Sequence, residues 1–126
     1  MQIQDYLRRA VKIAPDKIAT RYAGRERSFA DFAGRVERCA GFLRELGVSN
    51  GERVAVLALN SDRYQELFYA VPLAGGVLVP LNTRLAPAEL IYMLNDAGAI
   101  ILLVDDALTG HLQAFSDKLE TVKQIV

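Results

Sequence analysis

Short apolar runs alternate with amphipathic segments in the second half of the chain. The first run reads Val-Ala-Val-Leu-Ala-Leu over residues 54–59, a pattern typical of a strand that is buried on both faces. Apolar residues at spacings of three and four fill the intervals between the runs, which predicts helices. The predicted strands cover 53–59, 77–80, 100–104 and 122–126, and the predicted helices cover 61–74, 87–97 and 107–119.

This alternation predicts an α/β fold built on a parallel sheet. Parallel strands need crossover connections, and their two apolar faces need cover, so we expect helical crossovers on both faces of the sheet. The crossovers are expected to be right-handed. Pro72 lies inside one predicted helix and predicts either a kink or an early end there.

The first half of the chain carries a different pattern. An amphipathic helix is predicted over residues 4–14 and is stopped by Pro15. Two short polar-apolar stretches, 18–22 and 25–28, flank Ala-Gly and predict a small hairpin. A long apolar stripe then predicts a helix from Phe29 to about residue 46, capped by Ser28 and ended by Gly47. The most buried side chains are expected to be Phe29, Phe32, Val36, Leu43, Val54, Val56, Leu67, Phe68, Leu90, Leu94, Leu102 and Leu112.

Length and composition predict one packed domain. The chain has 126 residues, of which 52% are hydrophobic, well above the content of a disordered segment. We expect one subdomain over 1–126, with the hairpin and its helices in 1–50 and a βαβαβαβ arrangement in 51–126. The chain carries 15 basic and 15 acidic residues, so it has no excess positive charge for phosphate backbones and a nucleic-acid partner is disfavoured.

Cysteine content and segment hydropathy predict a cytoplasmic protein. Cys39 is the only cysteine, which excludes an internal disulfide and a cysteine zinc site. The first residues have neither a charged nor an apolar region of the kind found in signal peptides. The final predicted strand extends to the last residue, so we expect a chain that was cut or that lacks its natural continuation.

Several residues could have a functional role, but a structural role is favoured for each of them. Gly75-Gly76 precedes a predicted strand rather than a helix, so a tight turn is favoured over a phosphate loop. Asp105-Asp106 could hold Mg²⁺ or cap the next helix, and capping is favoured. His111 has no paired catalytic motif, and Cys39 is expected to be a buried, inert thiol.

Residues 80–85, Pro-Leu-Asn-Thr-Arg-Leu, leave two interpretations equally open. The segment follows the carboxyl end of a predicted strand and precedes a helix. Arg84 could form a bidentate contact with a phosphate or a carboxylate. It could equally belong to a solvated loop in which it pairs with a neighbour such as Glu89.

The same segment closely resembles a conserved motif of a known superfamily. Residues 70–98 resemble the second core motif of the adenylate-forming (AMP-binding) enzymes. Residues 27–33, followed by 42–47, resemble the first core motif and its helix, and 51–57 resemble the strand after it. Residues 14–19 resemble the customary start of the family. Each piece is degenerate alone, but their common order is specific, and the Leu-Asn-Thr-Arg segment is most similar to the acyl-CoA synthetase branch of fatty acid metabolism.

The resemblance implies a ligase that uses ATP, Mg²⁺ and coenzyme A. A carboxylic acid would form an acyl-adenylate and pyrophosphate, and the CoA thiol would then displace AMP. It also implies that Arg84 lies near the phosphates of CoA. The family's lysine-bearing phosphate loop, ribose-binding segment and C-terminal lysine are missing from these 126 residues. We therefore expect no catalytic or metal-binding residue here, no tight binding of any of these cofactors, and no activity from this chain alone.

Three hypotheses follow. The first is the N-terminal part of an acyl-CoA synthetase, whose partner would be the remainder of the parent chain. The second is a stand-alone interaction or regulatory module that kept this subdomain without catalysis. The third is an unrelated flavodoxin-like ligand-binding domain, against which the motif order argues. Under the first hypothesis, apolar surface left uncovered predicts a homo-oligomer.

Overall fold

The computed structural model describes residues 2–126, which form two compact units. The first unit comprises the residues up to Ser49 together with Asn60–Gly75, and the second comprises Asn50–Leu59 and Gly76–Val126. Residues 60–75 therefore group with the first unit although they follow β3 in the chain. No helix in the described part of the chain is both long and apolar enough to cross a membrane.

The first unit consists of three helices and a hairpin. Two of its helices begin at serine caps, because the Ser28 hydroxyl accepts from the N–H of Asp31 and the Ser61 hydroxyl from that of Tyr64, each at 3.1 Å. Both caps satisfy backbone donors that have no partner within the helix. The elements are α1 (Ile3–Ile13), β1 (Ile18–Tyr22), β2 (Arg25–Ser28), α2 (Phe29–Glu45) and α3 (Asp62–Leu73).

The core of the first unit lies where α1 and α3 pack on α2. One stripe of α2 is fully buried, as its three-four spacing predicts. The ring of Phe32 on α2 meets Tyr69 on α3 edge-on, with centroids 5.6 Å apart. The buried apolar side chains of this unit are Leu7, Phe32, Val36, Ala40, Leu43, Val48, Tyr64, Ala70, Val71 and Ala74.

The predicted hairpin is confirmed. β1 and β2 pair antiparallel, with Tyr22 opposite Arg25. The turn between them places Ala23 at φ 49° and Gly24 at φ 78°. Positive φ at both central residues gives a turn whose twist matches the strands, although alanine is an uncommon residue for that conformation.

The second unit is built on the predicted parallel sheet. Its strands are β3 (Arg53–Leu57), β4 (Val77–Pro80), β5 (Ala99–Val104) and β6 (Gln124–Ile125), and α4 (Pro87–Ala97) connects β4 to β5. The strand order is β4-β3-β5-β6, and each neighbouring pair is parallel. Both the α/β class and the parallel sheet with helical connections are therefore confirmed.

The core of the second unit gathers side chains from β3, β5, α4 and the segment after β5. Phe115, which lies in that segment, is completely buried. Leu90 and Leu94 bring one face of α4 to the same cluster. Its buried members are Ala55, Leu57, Leu81, Leu90, Leu94, Ala99, Leu102 and Phe115.

The prediction of an α-helix over 107–119 is wrong. The segment forms two 3₁₀ helices, Asp106–Ala114 and Ser116–Lys118. Thr109 donates its hydroxyl to the carbonyl of Asp106 at 3.0 Å, and Gly110 follows directly. A β-branched residue bonded to its own turn and a glycine both disfavour a regular α-helix. The last strand is also shorter than predicted.

Two details of α3 differ from the sequence prediction. The helix continues through Pro72 and ends at Leu73, one residue before the predicted end, so the proline does not stop it early. Phe68 was expected to be buried but is 38% exposed, because it stacks on the outside of the buried Tyr64 ring, 5.4 Å between centroids. Phe29, Leu67 and Leu112 are also less buried than expected, with intermediate exposure.

Candidate functional site

The loop after β4 is the candidate binding site from the sequence, and two leucines anchor it. The N–H of Leu81 donates to the carbonyl of Val56 at 2.9 Å, which extends the sheet by one residue. Leu81 is buried and Leu85 packs against the same core cluster. Between them Asn82 folds the loop, because its side-chain oxygen accepts from the N–H of Arg84 at 2.9 Å. The Asn82 side chain therefore fixes the turn, and Asn82 and Arg84 are exposed.

Arg84 lies exposed at the end of this turn. No carboxylate within residues 2–126 lies within ion-pair distance of its guanidinium, and the sequence alternative of a pair with Glu89 is not formed. A guanidinium without an internal partner keeps all five N–H donors available to a ligand. The geometry is compatible with phosphate binding.

The acidic pair after β5 caps the first 3₁₀ helix. The Asp105 carboxylate accepts from the N–H of Ala107 at 3.1 Å, and the N–H of Asp105 donates to the carbonyl of Leu57 at 3.0 Å. Asp106 is exposed. Among residues 2–126 no group of three or more His, Cys, Asp or Glu side chains could hold a metal ion. Capping, the favoured interpretation, is confirmed.

The remaining candidates occupy structural positions. Gly75 adopts φ 93° in the turn that follows α3, where its N–H donates to the carbonyl of Pro72 at 2.9 Å. His111 is exposed on the first 3₁₀ helix. Cys39 has intermediate exposure, and burial raises the pKa of its thiol, with a smaller contribution from the charge of Glu66. Cys39 was expected to be buried and is only partly so, while the raised pKa lowers the thiolate fraction and agrees with low reactivity.

An ionic cluster in the first unit escaped sequence analysis. Asp62 and Glu66 lie one turn apart on α3, and their side chains are only 2% and 6% exposed. Asp62 forms ion pairs with Arg25, at 2.9 Å, and with Arg27. Glu66 accepts from Arg35 at 2.6 Å and lies 3.8 Å from Arg27. The guanidinium of Arg35 is therefore tied to a buried acid although its side chain is partly exposed.

The arginines keep the buried acid ionised. Burial alone would raise the pKa of the Asp62 carboxyl. The charge of Arg25, a hydrogen bond from the Arg63 N–H and the charge of Arg27 outweigh that effect, so the pKa lies below its ordinary value. The hydrogen bond to Glu66 likewise raises the pKa of Arg35. We assign the cluster a structural role, because each carboxylate forms ion pairs with arginines of its own unit.

The spacing of Asp62 and Glu66 is a signal that could have revealed this cluster. Residues four apart share one helix face, and on α3 that face also carries the buried Ala70. Two acids in line with an apolar position predict buried carboxylates, which need partners. The identity of those partners follows from tertiary packing and is absent from the sequence pattern.

Comparison with known proteins decides the family. A model of the AMP-binding enzyme family, described as "AMP-binding enzyme", matches residues 7–126. The chain belongs to the AMP-binding enzyme family. The family predicted from the motifs is therefore confirmed, and the hypothesis of an unrelated flavodoxin-like domain is wrong.

Curated relatives of this AMP-binding family chain are CoA ligases. The long-chain-fatty-acid–CoA ligase of Thermus thermophilus is 36% identical over 130 residues, which cover 100% of this chain and 24% of the relative. A feruloyl-CoA synthase from an Amycolatopsis species is 41% identical over 95 residues, covering 75% of this chain and 19% of the relative. The chain thus spans about a quarter or less of the length of these relatives.

The fold matches solved structures of the same family. The N-terminal domain of FACL13 from Mycobacterium tuberculosis superposes with a TM-score of 0.94 and 30% identity. The match covers 100% of this chain and 34% of that domain. The parallel sheet described above is therefore part of the N-terminal domain architecture of acyl-CoA synthetases.

Proposed function

We propose that this chain is the N-terminal part of an AMP-forming acyl-CoA synthetase, which joins a carboxylic acid to CoA at the expense of ATP. One observation carries the proposal. The chain matches CoA ligases over its whole length in sequence, and it matches the N-terminal domain of one of them in fold. We propose a cytoplasmic location for the parent, as the sequence predicts.

The residues present do not fit the ATP and Mg²⁺ of that reaction. The glycine pair at 75 and 76 ends a helix and leads into β4, whereas a phosphate cradle opens a helix. No acidic cluster for a cation exists within residues 2–126. We therefore propose that this chain alone forms no acyl-adenylate and that the nucleotide site would be built by other parts of the parent.

Activity measurements test the parent's function. The full-length protein that contains this chain should exchange labelled pyrophosphate into ATP in the presence of its acid, and should form a thioester with CoA. The 126-residue chain should do neither. Absence of acid-dependent exchange from a folded full-length protein, tested against fatty and aromatic acids, would contradict the proposal.

Arg84 is proposed to contact a phosphate of CoA in the parent. Three features support this role: the arginine is exposed, it has no carboxylate partner within the described chain, and its turn is fixed by Asn82. A guanidinium suits phosphate because it can donate two parallel hydrogen bonds. The same site could bind a carboxylate, which the following experiment separates.

We predict that Arg84→Ala in the full-length protein raises the KM for CoA and leaves adenylate formation largely intact. Loss of a charge-assisted hydrogen bond corresponds to about 1.5–3 kcal/mol, or roughly 10- to 150-fold. Separate assays of pyrophosphate exchange and thioester formation measure the two steps. A KM effect on the acid alone would assign Arg84 to the carboxylate. Arg53→Ala, which removes another exposed arginine of the same unit, is the matched control and should leave both steps unchanged.

A stand-alone module without catalysis is the second candidate function. It is supported by the two units, each of which closes a core of its own within these residues. Under this hypothesis the gene would encode no phosphate-binding loop beyond Val126. The nucleotide sequence downstream of this position therefore separates the two candidates.

A further inference from the structure

Two neighbouring clefts of the first unit are lined by arginines. The first cleft has a volume of about 390 Å³ and takes its lining residues from α2 and α3. These residues are Arg35, Arg38, Cys39, Arg63, Glu66 and Leu67. The second cleft shares Arg35 and Arg38 with the first and also contains the acids Glu26 and Asp31. The first cleft therefore has three guanidinium groups and one carboxylate, whereas the second is closer to neutral.

The single carboxylate of the first cleft is already engaged. Glu66 accepts from the Nε–H of Arg35 at 2.6 Å, and the Glu66 side chain is 6% exposed. Arg35 therefore keeps the N–H groups of both its Nη atoms for another acceptor. Because this guanidinium is tied to a buried acid of α3, the protein orients it in the wall of the cleft without help from a ligand.

The other two guanidinium groups have no carboxylate partner. Among residues 2–126, neither Arg38 nor Arg63 forms an ion pair. Arg38 lies back along α2, since a Cβ added at Gly34, one turn earlier, would be 3.4 Å from its Nη1 atom. Glycine at this position leaves room for the guanidinium. Like charges around one cleft repel one another, and an anion between them would relieve that repulsion.

We propose that this first cleft binds a small molecule with two linked phosphate groups, such as inorganic pyrophosphate or a nucleoside diphosphate. Arg38 on α2 and Arg63 on α3 would each hold one phosphate group, and Arg35 would donate to the same oxygens. A guanidinium suits phosphate because its planar fork donates two parallel hydrogen bonds. The inference goes beyond the proposed catalytic function, because such binding requires neither an acid substrate nor CoA.

The size of the cleft and the charge beside it favour a small ligand over an acidic protein segment. A volume of about 390 Å³ lies within the range of small-molecule sites, roughly 300–1,000 Å³. An extended acidic segment would continue into the second cleft, where it would meet Asp31. That carboxylate forms no ion pair within residues 2–126 and would repel the segment. A compact diphosphate stays among the three arginines.

Cys39 provides the first test, because it lines the same cleft and is the only cysteine of the 126-residue chain. Saturating pyrophosphate should slow its alkylation by iodoacetamide, a neutral reagent, severalfold. The ligand would cover the thiol, and its negative charge would disfavour the reactive thiolate. Sodium chloride at equal ionic strength is the control and should give no protection. Equal rates with pyrophosphate and with chloride would overturn the proposal.

Isothermal titration of two double variants with pyrophosphate provides the second test. Arg38→Gln with Arg63→Gln should raise the Kd about tenfold or more, because two charge-assisted contacts are lost. Arg9→Gln with Arg53→Gln removes the same charge at exposed positions elsewhere and should have a much smaller effect. Circular dichroism establishes that each variant is folded. Equal losses in both variants would assign the binding to net charge and overturn the proposal.

Comparison of ligands identifies the source of the phosphate groups. Tighter binding of ADP than of pyrophosphate would show that the nucleoside also contacts the cleft, and tighter binding of pyrophosphate would show that the linked phosphates suffice. Either result supports the proposal. Hexaglutamate that binds as tightly as both would overturn it and assign the cleft to an acidic protein segment.

The full-length protein provides the last comparison. Its Arg38→Gln, Arg63→Gln variant should lose one pyrophosphate-binding event of the wild type and should keep acid-dependent pyrophosphate exchange. Binding by the 126-residue chain that the full-length protein lacks would overturn the proposal, because the parent would then cover the cleft. Loss of exchange in the wild type would instead contradict the proposed catalytic function, so the two failures can be distinguished.

Discussion

At the scale of single residues, buried charge is the most demanding feature of this protein. Asp62 is removed from water, and its ion pairs with Arg25 and Arg27 replace that lost hydration. Such a pair contributes little against an apolar alternative, but removal of one partner leaves an uncompensated charge. The cluster therefore holds the hairpin to α3 mainly because loss of one partner would leave a buried charge without compensation. Its net contribution relative to apolar residues is small.

We predict that Asp62→Asn lowers the free energy of unfolding by about 3 kcal/mol, at the low end of the range for a broken buried pair because Arg25 is partly exposed. Urea unfolding followed by circular dichroism measures the loss. Asp117→Asn removes an exposed carboxylate on the second 3₁₀ helix and should change stability by less than about 0.5 kcal/mol. A similar small change in both variants would show that the cluster is dispensable.

The lowered pKa of Asp62 predicts an acid limit to stability. A carboxylate whose folded pKa lies below its unfolded value stabilises the protein fully above the unfolded pKa, which is about 3.9 for aspartate. That contribution is lost as the pH falls from about 4 toward the folded pKa. The stability difference between wild type and Asp62→Asn should therefore be constant from pH 7 to about pH 5 and narrow below pH 4. A difference that widens on acidification would contradict the direction of the shift.

At the scale of elements, the sequence predicted most boundaries because local signals agree with the fold. The serine caps and the apolar stripe of α2 are each formed within one element, and the apolar runs of β3 and β5 can be recognised without knowing which strands lie beside them. The prediction failed for the segment after β5, because its apolar spacing is typical of an α-helix while Thr109 and Gly110 disfavour one. A stripe shows which side chains are apolar, and hydrogen bonds such as that of Thr109 decide the geometry.

We predict that Gly98→Ala lowers the free energy of unfolding by about 1 kcal/mol. Gly98 ends α4 at φ 67° in the left-handed region, which costs other residues about 1–2 kcal/mol. An added Cβ would meet no atom within 4 Å, so the cost is conformational and not steric. Gly110→Ala, where the Cβ also meets nothing and φ is ordinary, should be nearly neutral, and equal losses in denaturation curves would refute the argument.

At the scale of the whole molecule, the main feature is exposed apolar surface. The sequence predicted that such surface would exist but not which side chains would form it. Large side chains such as Phe42, Val77 and Ile125 are 45%, 49% and 40% exposed. A strand pattern predicts which residues are apolar, but what covers them depends on parts of the protein outside these residues. The loop position of Arg84 could be predicted because the residues around it determine the turn. The ligand of Arg84 could not, because the loop sequence contains no information on the groups that contact it.

We predict that the 126-residue chain self-associates, most simply as a two-fold dimer. β6 is the last strand in the sheet order and Ile125 is exposed on it, so its outer hydrogen-bonding groups are available to another strand. Sedimentation equilibrium over a range of concentrations should show the dimer, and Ile125→Lys should weaken it. A monodisperse monomer at high micromolar concentration, with no binding of a hydrophobic dye, would refute this and favour the stand-alone module.

The strand order also bears on how this chain folds as it is synthesised. In the pairing of β3 with β5, Val54 lies opposite Ile101, which is synthesised much later. In the hairpin, Tyr22 lies opposite Arg25, only three residues further along the chain. Contacts between residues far apart in sequence form slowly, and synthesis releases the N-terminal part first. The first unit is complete once residue 75 has been made, while β3 has neither neighbour at that moment. A ribosome that pauses between β4 and β5 would therefore hold an apolar strand with only one of its two partners, and this interval is when a chaperone would be most needed.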